Sequence, residues 1–191
     1  MDVLTALRQS TAQRHDELDT RTPLAAEAPD LHDYHDHLRL LEAWLAPIQR
    51  WLDDAAPPPG LPRRDYLGLI RADLAHPALA GMPDRVRAAD AHWSPQEGAA
   101  YRWGVSYVIE GSQLGGAVLY KRLAQRLAPH PLDYLRGEGS PGPRWQQFLA
   151  ALRGAVTTPE QIDAACRGAR QAFDSLIALL NNSSAEPAGR P

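Results

Sequence analysis

Three glycines in the run Gly111-Ser112-Gln113-Leu114-Gly115-Gly116 sit inside a stretch whose other residues favour helix. Each glycine in a helix costs about 1 kcal/mol relative to alanine, so about 3 kcal/mol is given up at one place. A backbone without side chains lets a flat neighbour approach to van der Waals distance, and it permits a bend. The spacing therefore predicts a close partner there, either another helix or a ligand.

The second chemically capable group is His15. In the segment 2–19, Leu4, Leu7, Thr11, His15 and Leu18 fall within about 80° of one another on a helical wheel. This predicts that His15 faces the core, as a hydrogen-bonded core histidine or as a buried metal ligand. Asp19, one turn later, could accept the proton on the other ring nitrogen and so orient the ligating one. Arg8 lies about 20° from His15 around the helix and ~10 Å along it, so it is either a solvated helix-end charge or a partner for a carboxylate on a large planar ligand.

Other candidate groups read as structural. His32, His35 and His37 stand among Asp33 and Asp36, but His35 and His37 point about 160° apart on a helix, which predicts a solvated face rather than a metal cluster. His76, His92 and His130 flank prolines or a helix start and read as surface or loop residues. No Glu-x-x-His pair of the kind used by di-iron bundles occurs. Cys166, the sole cysteine, lies on an apolar helix face and reads as inert packing. Trp44, Trp51, Trp93, Trp103 and Trp145 read as core or pocket-wall residues.

These groups must be positioned by helices. Apolar residues recur at helical spacing from Ile162 to Leu180, and Thr158-Pro159-Glu160-Gln161 supplies a cap, a first-turn proline and a capping-box glutamine. Ser94-Pro95-Gln96-Glu97 repeats that device and predicts a helix start. Further helices are expected at about 2–19, 31–54, 63–75, 94–127 and 144–153. Turns are expected at Pro57-Pro58-Pro59-Gly60 and around Gly137 to Pro143. No stretch combines β-branched richness with alternation, so the chain reads as an all-α, single-domain bundle of about seven helices over 1–180. A polar, disordered tail is expected over 181–191.

The 191 residues suffice for one domain with a substantial core. The net charge of −3, with no basic run, argues against nucleic acid as a partner. With one cysteine, no apolar stretch long enough for a membrane span and no export leader, a monomeric cytoplasmic protein is expected.

Two segments carry a family resemblance: Leu7-Arg8-Gln9-Ser10-Thr11-Ala12-Gln13-Arg14-His15-Asp16-Glu17-Leu18-Asp19 and Tyr107-Val108-Ile109-Glu110-Gly111-Ser112-Gln113-Leu114-Gly115-Gly116. Together, in this order and roughly ninety residues apart, they resemble the haem oxygenase family. The likeness is greatest to the small bacterial branch that supplies biliverdin to bacteriophytochromes. Residues Tyr34 to Gln49, Arg64 to Leu74 and Trp145 to Phe148 match in type as well, so the resemblance covers about 3–180.

The resemblance implies haem sandwiched between the first helix and a glycine-kinked distal helix, with His15 as proximal iron ligand, Asp19 as its hydrogen-bond partner and Arg8 on a propionate. Gly111, Ser112, Gly115 and Gly116 would form the distal face. Tyr107, Lys121, Arg122 and Arg144 are candidates for further propionate contacts, and Tyr107 is equally readable as a core aromatic. Animal members carry a distal aspartate near the position of Ser112, whose hydroxyl can still hold a water.

The implied reaction hydroxylates a meso carbon of haem b with O2 and external electrons, releasing biliverdin, ferrous iron and CO. No dinucleotide fingerprint or cysteine cluster is present, so a ferredoxin or flavoprotein reductase is implied as electron donor, and a bacteriophytochrome as biliverdin acceptor. Two other readings compete: a haem carrier or sensor that does not degrade its ligand, and a cofactor-free enzyme on the same scaffold.

Overall fold

The computed structural model describes residues 2–55, 61–86, 93, 97–137 and 139–184. Among these, seven α-helices and two short 3-10 turns form the fold, and no strand is present.

Helix α1, Val3–Arg21, starts where the Asp2 side chain accepts the Leu4 amide at 3.2 Å, and it ends before Pro23. Helix α2, Leu31–Asp53, opens on a reciprocal capping box. Asp30 accepts the amides of His32 and Asp33 at 2.7 and 3.1 Å, and Asp33 accepts the Asp30 amide at 2.9 Å. Helix α3 is Tyr66–Leu74, and α4, Ala99–Leu123, holds the glycine run. Helix α5, Asp133–Arg136, is a single turn, α6 is Pro141–Ala155, and α7 is Pro159–Ser184.

The Thr158 capping box forms as its spacing predicts: Gln161 Oε1 accepts the amides of Thr157 and Thr158 at 2.8 and 3.1 Å, and the Gln161 amide donates to Thr158 Oγ1 at 3.3 Å. The second expected start falls largely outside the described residues. Ser94, Pro95 and Gln96 lie outside the described residues, Glu97 and Gly98 are non-helical, and α4 begins at Ala99 with Gly98 as its cap. Helix α7 runs to Ser184, past the expected end at 180; residues 185–191 and the Pro57 to Gly60 turn lie outside the described residues.

Helix α4 packs most extensively on α7, and α1 packs on α7 as well. The α4–α7 crossing is backbone against backbone. A Cβ at Gly104 would lie 1.8 Å from the Ala165 carbonyl oxygen, and one at Gly168 would lie 2.1 Å from that of Tyr101. Small Ala165, Ala169 and Ala172, all fully buried, line the same face of α7. From α2, the Trp44 indole N–H donates to the Ala172 carbonyl at 3.0 Å and contacts Ser175 Oγ at 3.1 Å, which fixes α2 against the same helix.

The histidines of α2 are not a solvated face. His35 and His37 are buried and only His32 is exposed, because the helix is covered on several sides and His37 shares its inner stripe with Tyr34, Leu38 and Leu41. His130 is buried too. Its Nε2 lies 3.2 Å from the Asp73 carbonyl oxygen and its Nδ1 accepts the Leu132 amide at 3.1 Å.

Asp73 organises this region. Its carboxylate accepts the Tyr34 hydroxyl at 2.5 Å and the Asp133 and Tyr134 amides at 3.0 and 2.8 Å. A left-handed backbone at Leu132 (φ 53°), whose side chain is fully buried, turns those two amides toward it. The result is an α5 seated against the glycine half of α4.

Candidate functional site

His15 is carried on α1 by ties to α7 on either side of it. Arg14 Nε and Nη2 donate to the two oxygens of Asp174 at 2.6 and 3.1 Å, and Arg21 donates to Asn181 at 2.5 Å. The His15 ring stands 6.1 Å from that of Phe173, between these ties.

His15 does not face the core. Its side chain is 62% exposed, at the flank of the stripe formed by Leu4, Leu7, Thr11 and Leu18. The reason is that α1 and α4 both pack on α7 rather than on each other, so no protein element covers the outer edge of the stripe. The partner expected from the spacing is in place: His15 Nδ1 lies 3.0 Å from Asp19 Oδ2. With Nδ1–H donating to that carboxylate, the lone pair of the ring sits on Nε2, directed away from Asp19.

Across from α1, Tyr107 presents its hydroxyl to Arg8. Burial pushes this phenol up, and the hydrogen bond and charge of the Arg8 guanidinium work in the opposite direction. The Tyr107 ring lies 5.4 Å from Trp145 of α6. The structure thus brings Arg8 to Tyr107, and Tyr107 to the aromatic residue beside Gly111.

The glycines run through an unbroken α4, and none has a positive φ. A Cβ at Gly111 would make ordinary contact with Trp145 at 3.6 Å, and one at Gly116 would lie 3.7 Å from the Leu135 carbonyl oxygen. A Cβ at Gly115 would meet no protein atom within 4 Å. No packed helix therefore requires these glycines, and the close backbone approach of α4 occurs at Gly104 instead.

Ser112 lies about 100° around α4 from Gly111. Its hydroxyl donates to the Ile109 carbonyl at 2.7 Å and accepts from Gln113 Nε2 at 3.3 Å. Gln113 Nε2 also reaches the Tyr134 hydroxyl at 3.3 Å, so Ser112 is tied through Gln113 to the α5 turn held by Asp73.

Three expected propionate contacts are placed elsewhere. Arg144 points away from Trp145, its neighbour in sequence, and forms a two-pronged ion pair with Glu110 at 2.8 and 2.5 Å. The Tyr66 hydroxyl adds a third contact to Glu110 at 3.0 Å. Arg122 donates to the Leu24 carbonyl, and Lys121 is exposed at the C-terminal end of α4. Phe173 and Gln113 were not singled out in the sequence as site residues. Phe173 belongs to the apolar period of α7, and only the Arg14–Asp174 tie reveals that it lies beside His15.

Comparison with known proteins shows which family the chain belongs to. The family model described as Heme oxygenase matches residues 75–182, which include Tyr107 to Gly116 but not α1. A heme oxygenase of Xanthomonas campestris pv. campestris (strain 8004) is 30% identical over 142 residues, covering 72% of this chain and 79% of the relative. The heme oxygenase PigA of Pseudomonas aeruginosa is 34% identical over 137 residues, covering 66% of this chain and 64% of PigA. Among solved structures, the NO- and CO-bound heme oxygenase from Neisseria meningitidis superposes with a TM-score of 0.74 at 23% identity, covering 100% of this chain and 96% of the other. With a family match over more than half its length and a relative of this identity and coverage, the chain belongs to the haem oxygenase family, all-α enzymes whose function is the degradation of haem.

Proposed function

We propose that the gap between α1 and α4 holds haem b, with His15 as the iron ligand, and that the chain converts it with O2 and external electrons to biliverdin, ferrous iron and CO. The observation that carries this reading is Gly115. A helix that gives up about 1 kcal/mol at a position where a Cβ would meet nothing within 4 Å beyond the helix's own backbone, among the described residues, has a surface suited to a flat ligand. The imidazole of His15, exposed and oriented by Asp19 at 3.0 Å, fits the same ligand from the other side.

Each residue then has a defined task. Asp19 holds the Nδ1 proton of His15, which keeps Nε2 available as a ligand. Arg8 and Tyr107, already in contact, supply a cation and a hydroxyl for a propionate. Gly111 and Gly115 keep the distal surface free of side chains, Trp145 bounds it with an aromatic face, and Phe173 flanks His15 on the other side. Ser112, with its proton donated to the Ile109 carbonyl, offers an oxygen lone pair to an ordered water. When bound, haem supplies the iron that activates O2 and also the carbon skeleton that is oxidised.

The electron donor in this reading is a ferredoxin or flavoprotein reductase, and a bacteriophytochrome is one acceptor of the biliverdin. The setting is the cytoplasm and the working unit a monomer. These assignments rest on the resemblance carried by residues 7–19 and 107–116. The experiment is a visible spectrum of the haemin complex during ascorbate-driven turnover. The Soret band should bleach as biliverdin absorption grows; a Soret band that persists under reductant and O2 would make the protein a carrier instead.

A further inference from the structure

A cavity of about 490 Å³ lies apart from the His15 gap. Helix α4 lines it with Arg102, Trp103, Ser106, Ile109 and Glu110, whose mean direction lies about 160° around the helix from that of Gly111 and Gly115. Helices α2 and α6 close it with Leu45, Leu52 and Phe148, and no residue of α1 or α7 reaches it. Its volume falls in the range of ~300–1,000 Å³ typical of sites for drug-sized ligands.

The interior is apolar and the boundary is positively charged. Arg63, Arg64, Arg102 and Arg144 line the cavity against Asp53 and Glu110, a formal excess of two positive charges. Two of these guanidinium groups are held in fixed orientations. Arg102 lies 4.1 Å over the Trp51 ring and donates to the Trp51 carbonyl at 2.6 Å, and Arg144 is clamped by Glu110. A guanidinium has five N–H donors, so Arg102 keeps several for a further acceptor. Gln49 and Ser106 add uncharged polar groups to the lining.

We propose that this cavity binds an apolar organic acid, its body among Leu45, Trp103 and Phe148 and its anionic head at the arginine boundary, simultaneously with haem on the opposite face of α4. Only the simultaneity rests on the haem reading; the site itself does not. The charge excess selects for the anion, and the aromatic and aliphatic walls select against small hydrophilic ones.

The test is isothermal titration of the full chain with 8-anilinonaphthalene-1-sulfonate, an apolar anion, with and without one equivalent of haemin. One site is expected in both cases, with affinities within threefold of each other. Ser106→Phe, which fills the cavity from α4, should weaken binding at least tenfold. The neutral analogue N-phenyl-1-naphthylamine should bind wild-type protein at least fivefold more weakly than the sulfonate.

Equal binding of the sulfonate by a folded Ser106→Phe protein would overturn the site. Equal binding of the neutral analogue would overturn the anion requirement, and this arm stands even if Ser106→Phe fails to fold. Loss of the sulfonate site on adding haemin would place the dye in the α1–α4 gap and likewise overturn the proposal. If haemin itself does not bind, the function proposed above fails, while the variant and analogue comparisons on ligand-free protein still decide this one.

Discussion

Alanine at Gly104 and alanine at Gly115 should move stability in opposite directions, although both replace a glycine within α4. At Gly104 the new methyl carbon would lie 1.8 Å from Ala165 O, 2.6 Å from Ala165 C and 2.9 Å from Ala169 N, all backbone atoms. Contact requires about 3.2 Å or more, so α4 and α7 must separate by over 1 Å along their closest approach. Overpacking of this kind costs about 1–3 kcal/mol, and contact with rigid backbone puts it at the upper end, so the helix-propensity gain of about 1 kcal/mol does not offset it.

At Gly115 no atom lies within 4 Å, so only the propensity gain remains, and the ligand-free protein should be more stable by about 0.5–1 kcal/mol. For a chain of this length about 2–4 °C accompanies each kcal/mol. Thermal unfolding followed at 222 nm should therefore fall by about 4–8 °C for Gly104→Ala and rise by about 1–4 °C for Gly115→Ala. The Gly115 variant, despite its higher stability, should turn over haemin at least tenfold more slowly, because its methyl occupies the distal surface. The reasoning is refuted if Gly115→Ala destabilises the ligand-free protein, or if it gains stability and keeps wild-type turnover.

Three further outcomes follow from buried polar groups. Asp73→Ala orphans the Tyr34 hydroxyl and the Asp133 and Tyr134 amides, and should cost about 3 kcal/mol or more in urea denaturation. Glu110→Ala leaves Arg144 charged and only 13% exposed, and should cost about 3–5 kcal/mol, whereas Glu110→Met with Arg144→Met should recover most of that loss. Burial pushes His37 down to about 4 from 6.5. The unfolded chain therefore binds the proton first as pH falls, so His37 favours folding above pH 6.5 and loses that contribution at up to about 1.4 kcal/mol per pH unit toward pH 4. Urea titrations from pH 7 to 4 should show a shallower slope for His37→Gln; an unchanged slope would exclude His37 as its source.

The helices were legible in the sequence where local chemistry marks them. Asp30 and Thr158 act as caps, the apolar period of α7 is continuous, and the expected 31–54 helix is observed as Leu31–Asp53. What was missed depends on contacts remote in sequence. The one-turn helix α5 exists because Asp73, sixty residues earlier, accepts its first amides, and no local signal encodes that. Ser94 looked like a cap, but Gly98 supplies the actual start of α4.

The same distinction applies to the site. His15 and Asp19 were readable as a pair because an i, i+4 relation is local. That His15 is exposed was not readable, because the wheel gives the direction of a side chain but not whether another helix covers it. Arg144 looked free for a propionate, whereas its partner Glu110 lies thirty-four residues away on another helix. The glycines suggested a close backbone crossing, yet that crossing lies seven residues earlier, at the isolated Gly104.

The central claim is that His15 ligates the iron of a haem that the protein then degrades. Its most direct test is biliverdin formation from haemin by His15→Ala, with the same reductant and O2 as wild type and with helical content checked by circular dichroism. The account predicts a fully helical variant that forms no biliverdin, because His15 makes no buried contact on which the fold depends. Wild-type biliverdin formation by that folded variant would contradict it.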